Sequence, residues 1–295
     1  MNMSKKIIVF CGLSKNCVET LKQNLTFINQ FKKIYHDYEI YSLIADSDSI
    51  DGSLEYLEQF EDDTKFKLYQ INNLELTYSS RIERISICRN TLLNFIKKNF
   101  KSYKNLVYIP YDSDIDLFRY ITPEKFMLMI NQILDYKSSK GIFPMSDPYY
   151  YDIFALRAKG WVNYNAMQII NNIKKRIKIL SFIPNYLFIF RKQLSVDSLK
   201  SKKYSLQSAF GGIGIYYFNS ENIEDIVYEY HIEDCNVVSE HVYFNKYFKF
   251  LEIKSDWIIP APKQHIEYNS YLMLGKLKYI LRTIKHDIKN LRKQG

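Results

Sequence analysis

The sequence predicts an α/β fold with a mostly parallel central sheet flanked by helices. Two observations support this prediction. Short apolar runs rich in β-forming residues alternate four times with helical patterns over residues 7–109. Alternation of this kind is typical of a parallel sheet with helices on both faces. Crossovers in such a sheet are right-handed, so the carboxyl ends of the strands meet at one edge, and an acidic cluster follows the fourth strand.

The first half of the chain accounts for four strands and the helices between them. Strands are expected at residues 7–10, 39–45, 66–71 and 106–109. Gly12 and Ser14 are expected to begin the turn into a first helix, whose apolar residues recur with helical spacing. A short helix is expected at residues 54–60 and a longer one at residues 81–100. Pro110 is expected to end the fourth strand, because proline cannot donate a ladder hydrogen bond.

The second half begins with a strong helix signal and then becomes less regular. Thr122 is the expected N-cap of this helix, with Pro123 at its first position. Further strands are expected at residues 141–145, 208–218, 237–244 and 248–253. Further helices are expected at residues 166–178, 221–230 and 271–292. Since no linker rich in Pro, Gly or Ser divides the chain, residues 1–260 are expected to form one domain, followed by a basic amphipathic C-terminal helix within residues 261–295.

The composition is that of an ordinary soluble globular protein. Of the 295 residues, 47% are apolar and 25% are charged. The 4 cysteines are scattered without a Cys-x-x-Cys pair, which argues against a disulfide framework or a zinc site and for a reducing compartment. No apolar run fits a signal peptide or a membrane span, so we expect a cytoplasmic location.

The net charge of +9 is concentrated in residues 174–203 and 276–293. A protein that binds nucleic acid would more often carry such charge on a recognisable module, so no nucleic-acid partner is expected. Both stretches also contain Ile, Leu, Phe or Tyr, and basic amphipathic helices can lie at the inner face of an anionic membrane. The alternative is a helix packed on its own domain with its lysines in solvent.

Two aspartates, Asp112 and Asp114, lie just beyond the fourth predicted strand. This is the edge at which open α/β sheets bind ligands. Two carboxylates so close repel each other unless a cation lies between them, and Mg²⁺ or Mn²⁺ completed by water and phosphate oxygens fits this arrangement. A solvated turn is the alternative interpretation. Asp116 adds a third carboxylate, to which the sequence assigns no role.

Two more segments carry candidates for nucleotide binding. Residues 46–53 lie between the second strand and a helix, where an Asp-Gly-Ser turn is also a good helix cap. Arg81 and Arg84 lie one helical turn apart, so they can share a face that points at the open edge, and Arg89 follows in the same helix. Guanidinium groups there would neutralise a diphosphate, whereas surface ion pairs are the alternative.

These motifs together resemble those of glycosyltransferases with the GT-A fold. The 46–53 turn is similar to the Ser-Thr-Asp-Gly-Thr turn of these enzymes. The pattern Arg-x-x-x-x-Arg-Asn-x-Leu before a strand ending in Asp-x-Asp resembles enzymes of capsule and lipopolysaccharide synthesis, including the capsule-associated mannosyltransferase type. Motifs at residues 150–157, 208–216 and 239–244 follow in the order of that group, and the resemblance covers roughly residues 5–245.

The resemblance implies a Rossmann-like GT-A fold and a hexosyltransferase that uses a nucleotide-diphosphate sugar as donor. Asp46 or Asp48 would then bind the nucleotide base. The three arginines and Asp112 would bind the rest of the donor, and Asp112 with Asp114 would hold Mn²⁺ or Mg²⁺. The acceptor would be a saccharide or a lipid-linked saccharide in surface glycan synthesis.

Five downstream residues are further candidates. Asp152 could accept hydrogen bonds from sugar hydroxyls, and Gly211 with Gly212 would permit close backbone approach, unless they form a β-bulge. Glu240 and His241 are adjacent, so on the predicted strand their side chains point to opposite faces. Glu240 or Asp152 could be the general base of an inverting reaction. His241 could be an extra metal ligand or an ordinary core residue.

Two other functions stay open at this level. One is a non-catalytic GT-A-like binding or adaptor protein at a membrane surface, although such a protein has no need of a metal site. The other is a sugar nucleotidyltransferase. That enzyme would normally carry a glycine-rich basic loop after the first strand, and Cys11-Gly-Leu-Ser-Lys15 is a poor version of one.

Overall fold

A computed structural model places a seven-stranded sheet at the centre of the protein. It describes residues 6–101, 103, 105–135, 138–176, 182–218, 223–233, 236–262, 265, 281, 282 and 284. Within these residues the strands are β1 (Ile7–Ser14), β2 (Glu39–Asp46), β3 (Phe66–Gln70), β4 (Leu106–Asp112), β5 (Lys140–Asp147), β6 (Arg157–Lys159), β7 (Ser205–Ser208), β8 (Ile215–Phe218), β9 (His231–Glu233), β10 (Asn236–Val238) and β11 (Phe250–Pro260).

Helices connect and cover these strands. They are α1 (Val18–Ile34), α2 (Ser53–Glu58), α3 (Leu74–Thr77), α4 (Arg81–Phe100), α5 (Pro123–Leu134), α6 (Ala166–Arg176), α7 (Phe182–Phe188), α8 (Val196–Lys200) and α9 (Glu240–Phe244). The α5 helix begins as predicted, because the Thr122 hydroxyl accepts a hydrogen bond from the Lys125 N–H and Pro123 occupies the first turn.

The order of strands in the central sheet is β11-β5-β8-β4-β1-β2-β3. Neighbouring strands are parallel except β8, which is antiparallel to both β4 and β5. The predicted α/β class with a mostly parallel sheet is therefore confirmed. Strand order reverses between β1 and β4, because the chain moves outward through β2 and β3 and then returns to the other side of β1. A reversal of this kind opens a crevice at the carboxyl ends of the strands.

The alternating residues of β1 enter two separate hydrophobic cores. Ile7 and Val9 pack in the core that includes the apolar face of α4. Ile8 and Phe10 pack on the other side of the sheet, with the apolar faces of α1 and α5. A strand buried on both faces reads as a continuous apolar run, and this explains the pattern that predicted it.

Two predicted strand ends in the first half are wrong. The fourth strand continues through Pro110 to Asp112, because the Pro110 carbonyl still accepts a hydrogen bond from the Gly214 N–H at 3.1 Å. A missing N–H therefore does not end a strand whose carbonyl keeps a partner. The first strand also continues through Gly12 to Ser14, since Gly12 lies against the ring of Tyr111 and pairs in register with it.

Several predictions in the second half are also wrong. The strand predicted at residues 208–218 is two strands, β7 and β8, joined by a loop that contains two glycines with positive φ. Residues 223–230 are not helical, and residues 240–244 form α9 rather than a strand. The helix predicted at 271–292 lies outside the described residues apart from 281, 282 and 284, so the proposed C-terminal segment stays a prediction.

In the part of the chain that the structure describes, no helix is long and apolar enough to cross a membrane. The described cysteines Cys11, Cys17 and Cys88 are free and buried.

We predict that Gly12→Ala destabilises the protein by about 1–3 kcal/mol, because the added methyl group overpacks the core. A Cβ atom at residue 12 would lie 2.5 Å from Tyr111 Cζ and 2.8 Å from Ile44 Cδ1. Urea unfolding followed by circular dichroism should show a lower midpoint with an unchanged slope. Tyr111→Phe is the control, since the Tyr111 hydroxyl has no hydrogen-bond partner among the described residues and its removal should cost less than about 1 kcal/mol. Equal midpoints for Gly12→Ala and the parent chain would contradict the tight approach.

Candidate functional site

A cavity of about 260 Å³ lies at the carboxyl edge of the central sheet. The strands β1, β2 and β4 and the first two turns of α4 contribute to its wall, at the point where strand order reverses. Its lining includes four residues that the sequence predicted for the site, Asp112, Asp114, Arg81 and Arg84. The rest of the lining is Leu13, Ser14, Lys15, Ala45, Ser47, Glu75, Ile85 and Cys88.

The acidic pair is placed by the end of β4. The Asp112 N–H donates to the Gly212 carbonyl at 2.8 Å, and the Ser113 N–H donates to the Leu13 carbonyl at 3.0 Å. Asp114 is exposed, yet desolvation by the surrounding cavity wall and the adjacent Asp112 charge raise its pKa to about 6, against the opposing charge of Arg81. A positive ligand in the cavity would relieve the repulsion that this shift expresses.

Two carboxylates suit a hard divalent cation that takes its other ligands from water and phosphate. Asp112 Oδ1 accepts a hydrogen bond from Arg89 at 2.7 Å, whereas no described residue donates to Oδ2. In the described part of the chain, no group of three or more His, Cys, Asp or Glu residues is arranged to hold a metal. The donor set therefore fits a cation shared with a bound ligand, but not a cation enclosed by protein alone.

A buried amide in α1 holds the loop that carries Asp114. The Asn24 side chain donates to the Ile115 carbonyl at 2.8 Å and accepts from the Leu117 N–H at 3.1 Å. Asn24 is fully buried, so these backbone groups have no water to replace it. The sequence analysis missed this residue. The available signal was a polar residue between Leu21 and Leu25 on the otherwise apolar face of a predicted helix.

Arg89 lies outside the cavity lining and differs in role from the other two arginines. Its side chain is 2% exposed and bridges two carboxylates, with Nη2 2.7 Å from Asp112 Oδ1 and Nε 3.2 Å from Glu240 Oε1. The guanidinium also lies over the rings of Phe210 and Tyr228 at 4.8 and 5.6 Å. Burial alone would lower the pKa of Arg89, but these negative partners outweigh burial and raise it. Arg89 contacts the protein here, and its predicted contact with a donor stays a prediction.

Glu240 and His241 are buried together in α9, so the prediction that they point to opposite faces of a strand is wrong. Burial raises the pKa of Glu240, Arg89 opposes this shift, and the Asp112 charge adds to it. His241 stacks on Phe210 with ring centroids 3.6 Å apart, and burial lowers its pKa well below the usual value. Neither residue lines the cavity. The role of His241 as a metal ligand stays a prediction.

The two candidates for base binding differ in what they contact. Asp46 is buried at the end of β2, and both of its carboxylate oxygens accept hydrogen bonds from Ser49. Asp48 Oδ1 accepts from the Asn73 N–H at 2.7 Å, whereas Asp48 Oδ2 has no partner among the described residues. Asp51 accepts from the N–H of Val18, the first residue of α1, and from the N–H of Ser53, the first residue of α2, for which the sequence suggested a cap. Neither Asp46 nor Asp48 lines the cavity, so their role in base binding stays a prediction.

The arginines of the cavity agree with both interpretations of the sequence, since one of them forms an ion pair and both line a cavity that could hold a diphosphate. Arg84 Nη1 donates to the Tyr78 carbonyl at 2.7 Å, and Nη2 lies 3.4 Å from Glu75 Oε1, so the predicted ion-pair alternative is present. Arg84 still lines the cavity, as does Arg81. Lys15 also lines it and lies 2.6 Å from the same Glu75 oxygen. In the sequence, Lys15 belongs only to a segment that is a poor match to a phosphate-binding loop. For this reason it was not predicted to line the site.

Asp152 connects two loops. Its Oδ2 accepts a hydrogen bond from the Gly211 N–H at 3.0 Å, and its Oδ1 accepts from the Ala155 N–H at 3.1 Å. Burial raises its pKa, against the effect of these two bonds. Asp152 does not line the cavity. Its observed contacts are structural, and its role as a base stays a prediction.

Gly212 permits the close backbone approach that the sequence predicted, although the neighbour is protein. Its φ is +90°, and a Cβ there would lie 2.8 Å from Ile115 Cδ1 and 3.0 Å from the Tyr151 hydroxyl. Gly211 has a φ of +75° but no contact closer than 3.7 Å for an added Cβ. The pair therefore packs the loop between β7 and β8 against the loop after β4.

No protein-family model and no curated protein matches the chain. Among solved structures it is similar to S. aureus TarS 1-349, with TM-score 0.44 and 14% identity over 97% of this chain and 66% of that one, slightly less than two thirds. It is similar to mannosyl-3-phosphoglycerate synthase from Rubrobacter xylanophilus, with TM-score 0.43 and 9% identity over 96% and 75%. It is also similar to glucosyl-3-phosphoglycerate synthase from Mycobacterium tuberculosis in complex with Mn²⁺, UDP and phosphoglyceric acid, with TM-score 0.40 and 8% identity over 94% and 78%. Likeness at this level assigns no activity to this chain.

We predict that Arg89→Met destabilises the protein by about 3–5 kcal/mol, because it leaves the buried Glu240 carboxylate without its cation. Adding Glu240→Gln to this variant should recover about 1–3 kcal/mol by removing the unpaired charge. Urea unfolding of both variants measures the two free energies.

The matched control for this prediction is Arg119→Met, which breaks the exposed Arg119–Asp116 pair at 2.8 Å and should change stability by less than about 1 kcal/mol. If Arg89→Met cost no more than Arg119→Met, the buried bridge would not be a stabilising feature.

Proposed function

We propose that the protein is a GT-A glycosyltransferase that transfers a sugar from a nucleotide-diphosphate sugar to a hydroxyl of a saccharide or lipid-linked saccharide acceptor. One observation carries the proposal: Asp112, Asp114, Arg81 and Arg84 line a single cavity at the carboxyl edge of the sheet, where strand order reverses. The ordered sequence motifs predict these four residues independently of their positions in the fold. Acidic and cationic groups in one cavity suit a ligand with a diphosphate and a divalent cation.

Asp112 and Asp114 would hold Mn²⁺ or Mg²⁺, with the remaining ligands supplied by water and the donor diphosphate. When bound, the ion would neutralise negative charge on the leaving nucleoside diphosphate. The observation that supports this assignment is that both carboxylates line the cavity, where the Asp112 charge helps to raise the pKa of Asp114. Positive charge at this position would favour ionisation.

Arg81, Arg84 and Lys15 would attract and orient the diphosphate. Glu75 lies within 3.4 Å of Arg84 and 2.6 Å of Lys15, so two of these cations are fixed in position before a ligand arrives. Preorganised charge stabilises the developing negative charge of a leaving group without reorganisation during the reaction. Asp46 or Asp48 would accept a hydrogen bond from the base, as the sequence resemblance implies, although neither lines the cavity.

An inverting reaction would need a general base for the acceptor hydroxyl. Glu240 is the candidate with a direct connection to the cavity, because Arg89 links it to Asp112. Its raised pKa would also make it a stronger base than an ordinary carboxylate. Asp152 is the second candidate, although two backbone N–H groups already donate to it.

Nucleotidyl transfer is a second candidate function, and the position of Lys15 favours it. A basic residue directly after β1 lines the cavity, as expected of a chain that binds the triphosphate of a nucleotide there. The products separate the two functions. A glycosyltransferase releases a nucleoside diphosphate from a sugar nucleotide, whereas a nucleotidyltransferase releases pyrophosphate from a nucleoside triphosphate and a sugar phosphate.

We extend the proposal to a cytoplasmic enzyme in contact with the inner face of the membrane. The α7 helix exposes the apolar residues Ile183, Tyr186 and Leu187, and exposed Arg191 follows it. Apolar side chains beside a cation suit an anionic lipid interface. A surface of this kind would bring the cavity near a lipid-linked acceptor.

We predict that Asp114→Asn abolishes stabilisation by the donor, because one of the two proposed cation ligands is lost. Thermal unfolding with UDP-, GDP-, CMP- and dTDP-sugars, with and without Mn²⁺, measures this effect. A donor at 100 times its Kd should stabilise the parent chain by about 2.7 kcal/mol. Release of nucleoside diphosphate should fall with the loss of binding.

Asp116→Asn is the matched control, because Asp116 pairs with Arg119 at 2.8 Å and does not line the cavity. It should keep the stabilisation. The assignment of a metal ion to Asp112 and Asp114 would be wrong if Asp114→Asn and a chelated parent chain both released nucleoside diphosphate at the full rate. Pyrophosphate release from nucleoside triphosphates, without activity on sugar nucleotides, would establish the second candidate instead.

We predict that the double variant Ile183→Glu/Leu187→Glu reduces binding to vesicles that contain phosphatidylserine, because charged side chains replace apolar ones on α7. Flotation through a density gradient measures the bound fraction. Ile50→Glu/Leu76→Glu is the matched control, since residues 50 and 76 are exposed apolar positions elsewhere in the fold. Equal flotation of both variants and the parent chain would refute a membrane contact through α7.

A further inference from the structure

A second cavity, of about 460 Å³, lies apart from the first and shares no lining residue with it. Its wall is formed by β6 and β7 on one side and by the segment from α9 to the start of β11 on the other. The start of β11 pairs with the start of β5, so this part of the wall lies at the amino edge of the parallel sheet, away from the acidic pair. The size is in the range of small-molecule sites.

The charges of this second cavity are all positive. Its lining contains Arg157, Lys246 and Lys249 and no Asp or Glu. None of the three cations forms an ion pair within the described residues, in contrast to Lys15 and Arg84 of the first cavity. The charges of Glu233 and Asp152 act on Arg157, but neither residue lines the cavity. The lysine ammonium groups lie over aromatic rings, with Lys246 3.8 Å from the Tyr243 centroid. Cations left without carboxylate partners in a concave wall attract an anion.

Arg157 differs from the two lysines of this cavity because it is buried, whereas they are exposed. It is 9% exposed, and its Nη1 donates to the carbonyls of Phe154 and Leu156 at 3.0 and 2.7 Å. Its Nη2 is enclosed and donates to no acceptor in the described part of the chain. A buried N–H group without an acceptor is unfavourable, and most such groups in folded proteins have a partner.

We infer that this second cavity binds an oxyanion, of the class of a phosphate, sulfate or carboxylate group. The guanidinium charge of Arg157 is delocalised, so it attracts an anion in the cavity even though Nη2 lies behind the wall. Lys246 and Lys249 are exposed residues that line the cavity and add positive charge. Gln207 also lines the cavity, and its side-chain amide supplies neutral hydrogen-bonding groups. The Ser208 hydroxyl is already used, since it donates to the His241 carbonyl and accepts from Asn245. This site does not depend on the proposed function of the first cavity.

The anion can be a free ion or part of a saccharide. A sugar phosphate would fill more of the 460 Å³ than inorganic phosphate and would gain contacts with the apolar wall formed by Leu206, Val242, Phe248 and Leu251. A sugar-borne oxyanion is therefore expected to bind more tightly than the free ion if the cavity receives a saccharide, and equally if it receives the ion alone.

Isothermal titration calorimetry of the full chain with inorganic phosphate and with glucose 6-phosphate tests the inference. Lys246→Gln/Lys249→Gln should bind the anion about tenfold more weakly, since it loses two charged donors. Lys67→Gln/Lys125→Gln is the matched control, because both lysines are exposed, form no ion pair in the described residues, and lie outside both cavities. Phosphate bound at the first cavity contributes equally to both variants.

Arg157→Lys tests whether the site needs the guanidinium group of Arg157 or only its positive charge. It keeps the positive charge through which Arg157 would act, so binding should be retained, whereas Arg157→Met should weaken binding several-fold while thermal unfolding reports that both variants are folded. Equal affinity for the Lys246/Lys249 variant and the control would overturn the inference. An equal loss of affinity in both double variants would overturn it too, because binding would then follow net charge alone.

Discussion

The arrangement of the site depends on the buried bridge from Arg89 to Asp112 and Glu240. The two carboxylates lie far apart in sequence, one at the end of β4 and one at the start of α9, and the guanidinium brings them within 2.7 and 3.2 Å of one side chain. A buried charge is tolerated only when it is paired and hydrogen-bonded, so the three residues must fold together. Phe210 covers the guanidinium on one face, which ties the loop between β7 and β8 to the same bridge.

Neutral groups, in contrast, place the loop that carries Asp114. Asn24 satisfies the backbone at Ile115 and Leu117, and the absence of a side chain at Gly212 lets the neighbouring loop approach. The position of Asp114 therefore does not require attraction between charges. This independence allows two carboxylates to be held near each other in the absence of a cation, at the cost of a raised pKa. Such a site is ready for a positive ligand before the ligand binds.

The sequence was sufficient to predict the elements with strong periodic patterns and the candidate residues at the carboxyl edge of the sheet. Alternation of β1 to β4 with helices predicted the class and placed Asp112, Asp114, Arg81 and Arg84 at one edge, because parallel strands share that edge by topology. The errors occurred where tertiary contacts override local signals. Pro110 stays in a strand because Gly214 donates to its carbonyl, and Glu240 lies at the start of a helix, where its carboxylate pairs with buried Arg89. The partner of Arg89 could not be predicted, since its distance of 151 residues from Glu240 leaves no local pattern.

The two cavities show how one chain can use the same residue types for different chemistry. In the first, Glu75 pairs with both Arg84 and Lys15, and two aspartates face them, so the charges are mixed and suit a ligand that brings both a cation and an anion. In the second, no carboxylate lines the wall, and Arg157 and the two lysines form no ion pair within the described residues, so an anion is the ligand that we propose there. Part of the +9 net charge is therefore explained by local imbalance rather than by a uniform basic surface. A uniform surface would attract polyanions of any shape, whereas an unbalanced cavity selects an anion that fits inside it.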